Sequence, residues 1–170
     1  PSLRTIAVSV GLDRNGDGEA YLERSIELAN AVGDLSTMGY ALSNLAGCKL
    51  NMGDLDGAEA LVDRCLPIAA KLNDPLMTST LLFHKGYIRT GHKQWSEARA
   101  QFQRSLDILR EIDMPARLGQ WLMEVADVFV HNGEVQEARE LLDEAFVIAT
   151  RIGHQKLLEK VRENRERLCA

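Results

Sequence analysis

Small and apolar residues recur along this chain at steps of three and four. Between Leu35 and Met52 the residues Met38, Ala41, Leu42, Leu45, Ala46 and Cys48 fall on one helical stripe. Gly53-Asp54 ends it, because glycine accepts the left-handed conformation that closes a helix. Ala58, Val62, Cys65, Leu66, Ala69 and Leu72 then form a second amphipathic stripe. Asn73-Asp74-Pro75 follows, with Asp74 placed to cap the next helix and Pro75 suited to a first turn that needs no amide donor. The unit is two antiparallel helices with short connections. The same periodicity predicts further helices over about 75–91, 95–112, 115–132 and 135–152.

The pattern then repeats every forty residues. Gly18, Ala58, Ala98 and Ala138 form a small column, and Leu22, Val62, Phe102 and Leu142 a large apolar one. Ser25, Cys65, Ser105 and Ala145 make a second small column, with Ile26, Leu66, Leu106 and Phe146 beside it. Such columns describe an array of one supersecondary unit, an architecture that serves as a binding surface more often than as an enzyme. The expected fold is all-α: a right-handed α-solenoid of antiparallel helix pairs in one domain over 1–170. Its units fall at about 1–33, 34–73, 74–113 and 114–153, and a C-terminal capping helix at about 155–168 is polar on most faces. Leu3, Ile6, Ala7 and Val10 read as a first helix, shifted by one residue against the array. In the third unit Lys93 takes the place of the turn glycine while Gly91 sits two residues earlier, which predicts a turn of different shape.

These columns resemble the tetratricopeptide repeat, in which a large residue, a leucine, a small residue, a turn glycine, an alanine and a second large residue follow in order. Leu42, Leu45, Ala46, Gly53, Ala58 and Val62 fit, as do Leu122, Val125, Ala126, Phe129, Gly133, Ala138 and Leu142. The third unit fits at Leu82, Gly86, Ala98 and Phe102, with Lys85 in the leucine position. The period of forty is similar to the extended repeats of bacterial maltose-activator-type regulators, of related signalling ATPases and of adaptors such as kinesin light chain. The HEAT repeat has a similar period, but the small columns at 46/86/126 and 58/98/138 favour the tetratricopeptide form. The resemblance implies a noncatalytic protein- or peptide-binding domain. It points first to the partner- or ligand-sensing region of a bacterial regulatory protein, and alternatively to a freestanding scaffold that assembles a complex.

In that family the first helix of each unit lines a concave groove. The resemblance therefore places the partner-binding surface at Tyr40, Ser43, Asn44, Phe83, His84, Tyr87, Met123, Glu124, Asp127 and His131. Tyr40, Phe83 and Tyr87 are expected to face the groove as exposed aromatic anchors. The lysine, asparagine and arginine set by which chaperone-binding members hold a terminal carboxylate is missing. An apolar floor with Glu124 and Asp127 points instead to a peptide with apolar anchors and a basic residue.

Charge and chemistry narrow this further. A net charge of −5 argues against direct nucleic-acid binding, which needs a cationic face. Three cysteines without paired spacing, two of them in small repeat positions, fit reduced thiols and a cytoplasmic location. No apolar run reaches the ~20 residues of a membrane span. Asp13, Asn15 and Asp17 open like a calcium loop, but Arg24 stands where a bidentate glutamate belongs, so no metal is assigned there. Phosphate loops, dinucleotide fingerprints and nucleophile elbows are absent from the sequence, and no cofactor is expected. Apolar repeat ends near Ile6 and Val10 suggest self-association.

Overall fold

The computed structural model describes residues 17–169. These form eight consecutive helices: α1 (Asp17–Val32), α2 (Leu35–Met52), α3 (Leu55–Leu72), α4 (Pro75–Gly91), α5 (Trp95–Glu111), α6 (Pro115–His131), α7 (Val135–Arg151) and α8 (Gln155–Cys169). The boundaries meet those read from periodicity to within one residue. The helix expected around Leu3–Val10 and the loop residues Asp13 and Asn15 lie outside the described residues, as does the side chain of Asp17.

The chain divides into two compact units after Ile108. In the first, α1 packs on α2, α2 on α3 and α3 on α4, while α2 also reaches α4. In the second, α6 packs on α7 and α7 on α8, while α6 also reaches α8. Each unit is thus a run of antiparallel helix pairs in which first helices touch first helices. Among the described residues of α8 only Leu157, Leu158 and Val161 are buried, so most of their surface is wet.

Every connection uses one turn. Gly33, Gly53, Asn73, Lys93, Asp113, Gly133 and Gly153 all have positive φ, spaced twenty residues apart. At each the backbone closes as in a Schellman motif: the Gly53 amide donates to Leu50 O and the Asp54 amide to Lys49 O, at 3.0 and 2.9 Å. The third-unit turn does not differ in shape, contrary to the sequence expectation. Lys93 adopts φ 60° and donates to Thr90 O, and Gln94 donates to Arg89 O, in the same register. The twenty-residue spacing of helix ends dictates the turn there, and Gly91 serves another purpose. It is the last residue of α4, where a Cβ would come within 2.5 Å of Leu55 Cδ1. Aspartates cap the starts of α2, α3 and α4, and Asp74 is the one that the sequence suggests. Asp34, Asp54 and Asp74 accept from the amides of Thr37, Gly57 and Met77.

Packing between paired helices explains why the columns vary. In units two and four the small and large positions read Ala46–Val62 and Ala126–Leu142, all buried. In the third unit they read Gly86–Phe102, and a Cβ on Gly86 would lie 2.4 Å from Phe102 Cε1. The small position shrinks to glycine where the large one grows to phenylalanine. One helical crossing earlier, Ser79 and Ser105 form a buried clasp: each hydroxyl donates to the other's backbone oxygen at 2.9 Å. The same columns hold Gly39 and Cys65 in the second unit, where the thiol lies 3.2 Å from Gly39 O. Burial pushes the Cys65 thiol up to about 11, so it behaves as a small apolar filler. Ion pairs also recur with the period, Glu19 with Lys49 and Glu59 with Arg89, joining consecutive helices. Lys85, the misfit of the leucine column, is half-buried and reaches Asp63 at 2.9 Å.

Candidate binding faces on the first helices

In the first compact unit the candidate residues separate by depth. Tyr40 on α2 is exposed, and its hydroxyl donates to Asp74 Oδ2 at 2.8 Å. Asp74 Oδ1 meanwhile accepts from the Met77 amide at 2.8 Å. One carboxylate therefore caps α4 and fixes an exposed ring of α2 beside it. Asn44 and Tyr87 are half-buried. Ser43, Phe83 and His84 are buried, which corrects the expectation that Phe83 stands open as an anchor. Its ring meets Phe102 at 5.8 Å and Tyr87 at 5.1 Å in edge-on contacts, and Tyr87 meets Phe102 at 5.4 Å. The absent Cβ at Gly86 admits the Phe102 ring over α4, and Phe83 packs against that ring instead of facing solvent.

His84 is 1% exposed, and neither ring nitrogen has a hydrogen-bond partner. Burial alone lowers its pKa to about 4, so the ring is neutral at physiological pH. It acts there as a core side chain, not as a flank of an open surface.

In the second compact unit α6 presents a wetter set. Met123 and Glu124 are half-buried, and Asp127 and His131 are exposed. Burial raises the Glu124 pKa, opposed by Gln120, whose Nε2 donates to Oε1 at 3.0 Å. The His131 ring lies 2.7 Å from Asp127 O and 4.0 Å from its carboxylate. Beside them a pocket of about 110 Å³ opens among Ala126, Asp127, Val130, Leu142, Asn164, Arg167 and Leu168. Asn164, Arg167 and Leu168 come from α8 and were not among the expected site residues. The forty-residue columns carried the signal: Arg167 continues the column of Tyr87 and Asp127.

Among the described residues no cluster of histidine, cysteine and carboxylate side chains is placed to hold a metal ion. No described helix is long and apolar enough to cross a membrane.

Comparison with known proteins agrees with this geometry. Residues 37–111 match the family model of the tetratricopeptide repeat, which supports that family for the columns described above. Among solved structures the chain is similar to BtubC (BKLC) from P. vanneervenii, with a TM-score of 0.74 at 18% identity. The alignment covers 92% of this chain and 66% of that one, so the chain spans less than two thirds of its structural relative. No curated protein matches the sequence. The fold is the all-α array of tetratricopeptide-like helix pairs.

Proposed function

We propose that this chain is a noncatalytic protein- or peptide-binding repeat domain, the partner- or ligand-sensing region of a bacterial regulatory protein acting in the cytoplasm. The observation that carries this reading is that residues departing from the repeat columns gather on first helices at or near the surface. These are Tyr40, Asn44 and Tyr87 in one unit and Met123, Glu124, Asp127 and His131 in the other. Column residues build the scaffold, while these side chains have no structural role that the period demands. Tetratricopeptide repeats generally mediate protein–protein interaction, which supports the same reading. A peptide with an aliphatic anchor and a basic residue suits Met123 and Asp127 of the second unit.

The test is selection of peptides from a displayed random library, followed by titration against wild type and the double variant Tyr40→Ala/Tyr87→Ala. We expect affinity to fall at least about tenfold in the double variant. Equal affinity in a folded double variant overturns the assignment of these residues.

Self-association is a second reading, carried by α1. Tyr21, Leu28 and Val32 lie on one stripe and are exposed. Leu28 is 54% exposed, whereas its column partners Ile68 and Ile148 are 8% and 6% exposed. An uncovered apolar face of this kind favours contact with another chain. Light scattering across concentration, with Leu28→Asp as the control, tests it: a mass that stays at one chain at all concentrations refutes it.

A further inference from the structure

The pocket between α6, α7 and α8 has a chemistry more specific than a peptide groove requires. Its floor is apolar, with Ala126 and Leu142 buried and Val130 and Leu168 half-buried. Its volume of about 110 Å³ is several times the ~10–15 Å³ that admits one water. One aliphatic side chain fills such a space.

Opposite charges stand on its lining. Asp127 and Arg167 both line the pocket, yet they form no ion pair with each other. The nearest ring to the Asp127 carboxylate is that of His131, at 4.0 Å. The Arg167 guanidinium and the Asn164 amide have no hydrogen-bond partner among the described residues. Donors for an anion thus lie on the α8 side, and an acceptor for a cation on the α6 side, over an apolar cavity.

From this arrangement we propose that the pocket binds a free aliphatic α-amino acid. The side chain sits on the apolar floor that Ala126 and Leu142 line. The α-carboxylate meets Arg167 and Asn164, and the α-ammonium meets Asp127. This deepens the sensing function proposed above and rests on that reading.

The experiment uses the full chain and three probes: L-leucine, N-acetyl-leucine and leucine amide. Calorimetry gives affinity, and amide chemical-shift mapping gives location. We expect saturable L-leucine binding with shifts at Asp127, Val130 and Arg167. Each blocked probe loses one charge and binds at least about tenfold more weakly. Arg167→Met and Asp127→Asn lose about as much, whereas Arg151→Met, an exposed cation on α7 outside the pocket, binds as wild type. Absence of saturable shifts overturns the proposal. So does N-acetyl-leucine binding as tightly as leucine, which marks a carboxylate site without need of the ammonium. If library-selected peptides still bind the first helices in either case, the amino-acid assignment falls and the peptide-binding reading stands.

Discussion

Replacing Gly86 by alanine puts a Cβ 2.4 Å from Phe102 Cε1 and 2.5 Å from Cδ1. Carbon atoms pack comfortably at about 3.5–4.0 Å, so the ring must retreat by roughly 1 Å. It has little room to do so. Phe102 is fully buried and bounded by Phe83 at 5.8 Å and Tyr87 at 5.4 Å. Overpacking of this kind costs about 1–3 kcal/mol, and a rigid ring held by two aromatic neighbours lies near the top of that range. Alanine in a helix interior returns about 1 kcal/mol relative to glycine. The net expectation is a loss of about 2 kcal/mol, or a fall in melting temperature of about 4–8 °C. The informative variant is the double one. Phe102→Leu alone costs roughly 1–2 kcal/mol in lost ring contacts. In its presence Gly86→Ala recreates the Ala126–Leu142 pairing of the fourth unit and is neutral or stabilising. Urea denaturation of the four proteins gives the coupling, expected at about 2 kcal/mol. Additive effects refute the claim that glycine and phenylalanine exchange volume across this crossing.

His84 gives a pH prediction. Its pKa is about 4 in the folded chain against about 6.5 unfolded, so between these values the unfolded chain binds the extra proton. The stability that neutral His84 allows is present in full above pH ~6.5 and declines toward pH ~4, by about 3 kcal/mol in all. His84→Leu removes this slope in urea titrations at pH 7 and pH 5; an unchanged slope contradicts it. Lys93→Gly relieves a left-handed non-glycine residue and raises stability by up to about 1 kcal/mol in the same assay, where any loss contradicts the turn assignment. Asp74→Ala removes the α4 cap and the Tyr40 hydrogen bond together. It costs about 1–2 kcal/mol, and Tyr40→Phe costs less in that background than in the wild-type chain.

The scaffold was legible because helix ends, caps and buried columns are local or periodic properties. Asp74 at a helix start and Ala58, Ala98 and Ala138 in one column each announce their role. Residue type alone misplaces the turn at Lys93. The positions 33, 53, 133 and 153, all glycine and all multiples of twenty apart, already marked residue 93 as a left-handed turn. Phe83 and His84 were misplaced for a different reason. Whether a first-helix residue faces solvent depends on how closely the paired helix approaches, and that is set by Gly86 and Phe102, which break their columns together. The α8 residues Asn164 and Arg167 are not legible as pocket lining because a polar terminal helix reads as a wet cap, although it also continues the first-helix register.

The central claim is that the first helices carry the binding surface. Amide chemical-shift mapping of the chain with a library-selected peptide tests it most directly. The expected result is shifts concentrated on first helices, around Asn44 and Tyr87 of α2 and α4 in the first unit or around Asp127 of α6 in the second. Shifts confined to the outer faces of α3, α5 and α7 would contradict it.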